Sequence, residues 1–205
     1  MALQVLKRLF LMALILVSCT APGSNNPAQG CGGTEAAVSC LTILSIVPTG
    51  GSNVDAFAHV CSRDPETGAV TTVEHLTDHT ADVAFSNTKF PTALGTFDIR
   101  ITGLSISYER NGPCPSPSVA QACLLTPLPI RETLVVPAGD TVTRTVPLVP
   151  LSVKLEYAGK FDAGLPPVSY TAHYVFTAQT IGFNDTFTVE ANTEFTIADY
   201  DTCSP

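Results

Sequence analysis

Two histidines four positions apart, His75 and His79, lie in the densest group of potential metal ligands in the sequence. The acids around them are Glu74, Asp78 and Asp82. On a helix these histidines would share one face and could bind one metal ion together. The flanking residues 70–73 and 83–85 are rich in β-branched and apolar side chains, which predicts strands around a loop or sheet edge. The pattern therefore favours a solvated loop over a metal site.

Three aspartates near the end of the sequence form a second group of oxygen donors, Asp185, Asp199 and Asp201. Calcium binds about six to eight oxygen ligands, and the ends of sandwich domains can supply them. No calcium-loop spacing is present, so solvated acids are favoured. The weak metal candidates are His75, His79, Asp199 and Asp201, and the sequence predicts neither a metal site nor a cofactor.

The sequence contains no motif of a known catalytic mechanism. A Gly-x-Ser-x-Gly elbow, a phosphate-binding glycine loop and His-Glu-x-x-His are all missing from it. The sequence does not exclude a pair of carboxylates that could hydrolyse glycosides. Most acids, however, occupy alternating polar positions or loops, where solubility explains them. No catalytic residue is predicted, and the protein is expected not to be an enzyme.

The first residues predict an export signal. Lys7 and Arg8 precede an apolar run over residues 9–17, and the small residue Ser18 follows. A positive start, an apolar core and a small residue at the cleavage site are typical of secretory signals. The run is too short for a transmembrane helix, which needs about 20 apolar residues.

The segment Leu16-Val17-Ser18-Cys19 resembles the lipobox of bacterial lipoproteins. The resemblance implies that residues 1–18 are a cleaved signal and that Cys19 is the lipidated first residue of the mature chain. Several acyl chains on one cysteine give stable anchoring, because each buried methylene contributes about 0.8 kcal/mol. Thr20 rather than Asp follows, which by the same resemblance favours the outer membrane of the cell envelope. The alternative is an ordinary cleaved signal with a chance cysteine.

The other six cysteines are Cys31, Cys40, Cys61, Cys114, Cys123 and Cys203. An even number in an exported chain predicts three disulfides. Cys114 and Cys123 bracket a loop rich in Pro and Ser and are the favoured pair. Cys61 with Cys203, and Cys31 with Cys40, complete the prediction. A zinc site is the alternative, but no Cys-x-x-Cys unit supports it.

Residues 19–37 are dominated by Gly, Pro, Ser and Asn, which predicts a flexible tether ahead of a folded domain at residues 38–205. Loss of Lys7 and Arg8 with the signal takes the net charge from −8 to −10. This acidity argues against a nucleic-acid partner and against adsorption to anionic lipid. The absence of Trp leaves few aromatic rings for stacking on sugars. The expected partners are the membrane, through the lipid, and another envelope or extracellular protein.

From Val38 onward the chain alternates apolar and polar residues between Gly and Pro punctuation, which predicts an all-β antiparallel sandwich of about eight strands. At Thr102-Gly103 the apolar residues change from odd-numbered to even-numbered positions, which predicts a β-bulge at a conformationally permissive glycine. This parity changes again between Pro147 and Pro150, which predicts a strand, including residues 151–157, that crosses between sheets. The regular alternation over residues 170–197 predicts a long hairpin with one wet face.

The order of strands and turns resembles immunoglobulin-like and fibronectin-type-III-like sandwiches and the late-embryogenesis-abundant type-14 domain. Three segments carry the second resemblance, residues 81–88, 97–108 and 136–142. It implies a sandwich fold and transfers no function, because sandwiches serve many functions.

These features predict a non-enzymatic, membrane-anchored lipoprotein that acts as a structural or protein-interaction module at the bacterial cell envelope or surface. The alternatives are a module that binds a small ligand, a carbohydrate or calcium, and, less favoured, an enzyme.

Overall fold

The structure is a computed structural model that describes residues 28–34, 37–89, 93–114, 123–200 and Cys203. Within these residues it contains twelve strands and one short helix, so the predicted all-β class is confirmed. Cys19 with its lipobox, and Asp201, lie outside the described residues. No helix in the described part is both long and apolar enough to cross a membrane.

The strands follow one another closely along the chain. In order they are β1 (Ala28–Thr34), β2 (Ala37–Pro48), β3 (Asn53–Asp55), β4 (Val60–Arg63), β5 (Val70–Val73), β6 (His79–Lys89), β7 (Ile99–Asn111), β8 (Leu128–Ile130), β9 (Leu134–Val136), β10 (Thr141–Val149), β11 (Val168–Thr180) and β12 (Thr186–Ala198). The helix α1 (Leu151–Ala158) lies between β10 and β11.

Two larger sheets form a sandwich-like stack. One has the order β1-β2-β6-β10, and the other has the order β3-β12-β11-β7-β8, with β9 also paired to β7. The strands β4 and β5 form a separate ribbon. The pairings are antiparallel except for β12 with β3, which run parallel. This parallel pair departs from the predicted all-antiparallel arrangement and, as shown below, positions the candidate site.

The alternating apolar residues fill the space between the sheets. Phe85 on β6 and Phe176 on β11 meet edge to face, with ring centroids 5.0 Å apart. The predicted hairpin is confirmed as β11 and β12, whose inward residues are buried and whose outward residues are mainly Thr, Ser, Glu and His. Aromatic pairs across such a core add to the stabilisation from burial alone.

The predicted bulge is confirmed at Thr102. In the pairing of β7 with β11, Thr177 lies opposite Gly103 and Ala178 lies opposite Ile101, so Thr102 is the extra residue. Ile101, which precedes the extra residue, and Leu104, which follows it, are both buried. Gly103 does not have a positive φ, so the shift in register, rather than unusual backbone angles of that glycine, restores the burial pattern.

The predicted strand over residues 151–157 is wrong, because this segment is the helix α1. The amides of Val153 and Lys154 donate to the carbonyl of Pro150, which starts the helix. Val153 and Tyr157, four positions apart, are buried on one helical face, whereas Leu155 is 56% exposed. Apolar residues at every second position therefore did not mark a strand here. The helix-favouring composition of the segment and the proline ahead of it decided the conformation.

The strand β1 lies inside the segment predicted as a tether, so the structured chain begins before Val38. Its glycines explain why it was missed. A Cβ atom on Gly30 would lie 2.6 Å from the carbonyl oxygen of Thr188, and one on Gly32 would lie 2.7 Å from the ring of Phe187. These glycines allow close contact with β12, where the composition alone indicates a spacer.

Three tyrosines of the second sheet bury their rings and bond their hydroxyl groups to backbone carbonyls. Tyr108 donates to Leu148 at 2.8 Å, Tyr170 donates to Cys123 at 2.7 Å, and Tyr174 donates to Pro147 at 3.1 Å. These bonds satisfy polar groups that would otherwise be costly to bury. Burial raises the pKa of each of the three hydroxyls.

The buried side chain of Asn87, at the end of β6, joins the two sheets. Its amide donates to the carbonyls of Phe97 at 2.8 Å and Val136 at 3.0 Å, at the entry to β7 and the end of β9. Its backbone carbonyl accepts from Gly139, which has φ +82° in the turn before β10. The three segments that resemble the type-14 domain therefore meet at this residue.

The three predicted disulfides are present as Cys31–Cys40, Cys61–Cys203 and Cys114–Cys123. Cys31 and Cys40 are direct partners across β1 and β2. The bond between Cys61 and Cys203 spans 142 positions and ties the chain after β12 to β4. Closing so long a loop restricts the unfolded chain strongly, an effect of about 4–5 kcal/mol in the chain-entropy description.

Replacing Phe85 by Ala is expected to lower the free energy of unfolding by about 3–5 kcal/mol, because a buried ring leaves a cavity between the sheets. Urea unfolding of the oxidised protein, followed by circular dichroism, measures the loss. Phe97→Ala is the matched control, since Phe97 is 38% exposed whereas Phe85 is 1% exposed. Equal losses in the two variants would contradict the assigned core.

Candidate functional site

The parallel pairing of β3 with β12 brings two acids together. Asp55 is the last residue of β3 and pairs with Ala198, the last residue of β12. Asp199 follows directly in the chain. Because parallel strands end at the same edge of a sheet, the carboxylates of Asp55 and Asp199 meet there, although 144 positions separate them in the sequence.

The ribbon of β4 and β5 adds two further side chains at this edge. His59 directly precedes β4, and Glu74 directly follows β5. The amide of Glu74 donates to the carbonyl of His59 at 2.8 Å, so the base of the ribbon holds both residues side by side. The disulfide from Cys61 to Cys203 ties the same ribbon to the chain beyond Asp199.

We name Asp55, His59, Glu74 and Asp199 the strand-end cluster. One potential ligand atom from each of Asp55, His59 and Asp199 lies within 4.8 Å of the other two. His59 Nε2 is 2.5 Å from Asp199 Oδ1. The other oxygen of Asp199 accepts from the amide of Gly164 at 2.9 Å. Such an arrangement of carboxylates around an imidazole can hold a cation or a proton.

Asp55 is the most deeply buried member of the cluster, at 8% exposed. Its Oδ1 accepts from the amides of Phe57 and Tyr200, each at 3.1 Å. Asp55 Oδ2 and Glu74 Oε2 are both buried. Within the described residues, neither oxygen has a backbone or side-chain hydrogen-bond donor as its partner. The two carboxyl groups face each other, and burial, followed by the contact with Asp55, raises the pKa of Glu74.

A polar groove of about 350 Å³ lies beside the cluster, and Asp55 and Glu74 line part of it. Lys154 reaches the groove from α1 and is only 5% exposed. Burial lowers the pKa of Lys154, and the nearby carboxylates of Asp55, Asp78 and Glu74 oppose that shift. One cation thus faces several anions across the groove.

The sequence-predicted histidines both line this groove, but they do not lie on a helix. Residues 74–78 form a loop, and His79 begins β6. The acids beside them have separate contacts. Asp78 accepts from the amide of Leu151 at 2.7 Å and so caps α1, and Asp82 accepts from the hydroxyl of Thr145 at 2.6 Å.

Asp185 does not approach Asp199, as the less favoured calcium arrangement would require. Asp185 directly precedes the thirteen-residue strand β12, and Asp199 directly follows it, so the whole strand separates them. Asp185 instead accepts a hydrogen bond from the amide of Gly33, where β1 meets the β11–β12 loop. Asp201, the third member of that predicted group, lies outside the described residues.

Sequence reasoning named Glu74 and Asp199 in two different groups and missed Asp55 and His59. Each of the four residues is the first, last or adjoining residue of a strand. Polar residues at strand ends were the available signal. The parallel pairing that brings them together has no local signature, because it joins segments far apart in the chain.

Neither a protein-family model nor a curated protein sequence matches the chain. A crystal structure of a protein from Archaeoglobus fulgidus aligns over 61% of this chain and 90% of that protein, with 13% identity and a TM-score of 0.36. A similarity of this size assigns neither a fold family nor a function to the chain.

Acid is expected to destabilise the protein through His79. Its Nε2 lies 2.9 Å from the carbonyl of Gly51, to which the neutral tautomer can donate. Burial lowers the pKa of His79, and the neighbouring charge of Lys154 lowers it further. A group with a depressed folded-state pKa contributes stability above its unfolded pKa, about 6.5 for histidine, and loses that contribution as the pH falls.

The measurement is the melting temperature of the wild type and of His79→Gln between pH 7 and pH 5. The wild type should lose more stability on acidification than His79→Gln, which cannot gain this proton. His75→Gln, altered at an exposed position of the same loop, should keep the wild-type profile. Parallel profiles for the wild type and His79→Gln would exclude His79 as the group responsible.

Proposed function

We propose that this chain is an exported lipoprotein, anchored through Cys19, and that its sandwich domain is a non-enzymatic structural or protein-interaction module of the bacterial cell envelope. Its expected location is the outer membrane, on the periplasmic or surface face. The immunoglobulin-like topology is part of the proposal, whereas the sandwich-like all-β architecture is observed.

The pairing of the cysteines is the observation that best supports the anchor. Six of the seven cysteines bond to one another in the structure. Cys19 is the one left over, at the position that the lipobox resemblance assigns to the acylated residue. Three disulfides are also typical of a protein that folds in an oxidising compartment outside the cytosol.

The early start of β1 limits how far the domain could lie from an anchored Cys19. Only residues 20–27 lie between Cys19 and β1. Even a fully extended chain gains at most about 3.6 Å per residue, so the span is about 30 Å or less. The proposed module would therefore work close to the membrane surface.

The strand β10 supports the interaction role, because it is an outer strand of its sheet. Thr141, Thr143 and Thr145 are exposed along it. An extended segment of a partner could add to this edge by backbone hydrogen bonding. Pro147 shortens the usable edge, since proline has no amide to donate, and the ion pair of Arg144 with Glu132, at 3.1 Å, joins the edge to the β8–β9 loop.

The anchor is tested by expressing the full-length chain in a Gram-negative host and measuring its intact mass and membrane fraction. The wild type should begin at an acylated Cys19 and stay with the outer membrane, whereas Cys19→Ala should be soluble. Thr20→Asp should remain acylated but move to the inner membrane. If Cys19→Ala stays in the membrane fraction and is extracted by detergent in the same way as the wild type, the lipid anchor is contradicted.

The interaction role is tested by cross-linking in intact envelopes with Thr143→Lys on β10. A lysine on an edge strand opposes the addition of another strand, so partner recovery should fall well below the wild-type level. Ser105→Lys is the matched control, because it places the same charge on an exposed position of β7 that is paired with a strand on both sides, β11 and β8. Equal recovery in the two variants would rule out β10 as the contact.

A binding module is the second candidate function. The groove beside the strand-end cluster favours it, since the groove combines a buried lysine with several carboxylates. Polar groups that converge in this way can select a small ligand or a cation.

A further inference from the structure

We propose that Asp55, His59 and Asp199 bind one divalent first-row transition-metal ion, with the carboxyl group of Glu74 adjoining Asp55. The site lies at the edge where β3 and β12 end and where the β4–β5 ribbon begins. It does not depend on the lipid anchor or on a protein partner. The ligands form a mixed set of carboxylate oxygen and imidazole nitrogen.

The geometry suits a single ion. The three ligand atoms already lie within 4.8 Å of one another. Ligand atoms about 2.1 Å from one tetrahedral zinc ion are about 3.4 Å apart, so a bound ion would open the direct contact between His59 and Asp199 to this spacing. Two of the side chains, His59 and Asp199, are in contact at 2.5 Å. Glu74 supplies a further oxygen beside Asp55.

The buried carboxylate of Asp55 is an independent indication of a cation. Asp55 is 8% exposed. Among the described residues no donor reaches its Oδ2, whereas its Oδ1 accepts two backbone amides. A buried carboxylate oxygen that faces a second carboxyl group is costly unless a shared proton or a cation lies between the two groups. The buried Oε2 of Glu74 repeats the pattern next to it.

The local charges leave room for a divalent ion. Asp55, Glu74 and Asp199 carry three negative charges when ionised, and Lys154 supplies one positive charge beside the first two. A histidine that ligates a metal is neutral. Because Lys154 also faces the carboxylate of Asp78, its charge only partly offsets the other carboxylates, and a net negative charge remains for a cation to neutralise.

The donor set selects the class of metal. Imidazole favours zinc and its first-row neighbours, and carboxylate is compatible with zinc and manganese. Calcium takes about six to eight oxygen ligands, and magnesium keeps several waters, so neither matches a site that includes His59. Zinc is therefore the primary probe and manganese the second.

Backbone contacts hold the ligands in place from outside. Asp55 Oδ1 is fixed by two amides, and Asp199 Oδ2 is fixed by the amide of Gly164. The disulfide of Cys61 with Cys203 links the two chain segments that supply His59 and Asp199. Such outer partners orient ligands and strengthen metal binding.

The experiment uses the protein expressed from the full-length sequence, with its disulfides intact, after treatment with a chelator. Equilibrium dialysis against zinc chloride should give about one zinc per chain by elemental analysis, and the melting temperature should rise with zinc concentration. Calcium and magnesium chloride at the same concentrations should produce neither effect.

Two variants test the ligands. His59→Ala and Asp199→Asn should each weaken zinc binding by more than about a hundredfold, which exceeds the loss of about 10–100-fold from removing one outer partner. Both keep Asp55, whose backbone contacts could be needed for folding. Their circular dichroism spectra and closed disulfides establish that they are folded, and either folded variant alone suffices for the test.

His173→Ala is the matched control. His173 also pairs with a carboxylate, Glu109, at 3.1 Å, but it lies on the outer face of the second sheet. Its removal should leave zinc binding unchanged. His75→Ala tests the neighbouring groove, which His75 lines and His59 does not.

Each remaining outcome overturns the proposal. Failure of both zinc and manganese to bind in stoichiometric amounts would identify the cluster as an ion pair beside two carboxyl groups. Loss of zinc in His75→Ala with retention in His59→Ala would place the ion in the groove instead. Stronger stabilisation by calcium than by zinc would exclude His59 as a ligand.

Discussion

The hydrogen-bonding requirement of buried tyrosines constrains much of this structure. A tyrosine ring can lie between two sheets only if its hydroxyl group finds an acceptor there. Tyr108 and Tyr174 find theirs in the carbonyls of residues 147–148, at the end of β10. These bonds hold that end of β10 against the opposite sheet, directly before the chain turns into α1. The position of α1 in turn carries Lys154 into the groove and places the first turn of the helix beside Asp78. A satisfied core thus determines where the polar surface features lie.

Local sequence patterns predicted the features that depend on neighbouring residues. Alternation along β11 and β12 indicated the hairpin, and the change of parity indicated the bulge at Thr102. Among the disulfides, the pair Cys114–Cys123 followed from the loop that it brackets, whereas the other four cysteines allow three combinations of two bonds, between which the local sequence does not decide. The strand-end cluster could not be predicted in this way. Asp55 and Asp199 meet because β3 and β12 pair in parallel over only three residues, and such a short contact leaves no periodic trace in either segment.

Two elements were assigned incorrectly from the sequence, and each has its own physical cause. In α1 the alternation of apolar residues fits a strand, yet the exposed Leu155 and the buried Lys154 show that the helical period decides burial. In β1 the composition fits a spacer, yet Gly30 and Gly32 are needed for close contact with β12. In β1 tertiary contacts outweighed a spacer-like composition, whereas in α1 the helix-favouring composition outweighed the alternating pattern of apolar residues.

The bond between Cys31 and Cys40 has a mechanical consequence. The two cysteines are direct partners across the β1–β2 ladder. A force applied to the chain ahead of β1 can separate only the three residue pairs that precede Cys31 in that ladder. Beyond them the load passes through a covalent bond into β2, which lies between β1 and β6 inside its sheet. Peeling, which breaks ladder hydrogen bonds one at a time, therefore stops at this bond. A domain built in this way can be pulled from its amino-terminal side without losing its first strand.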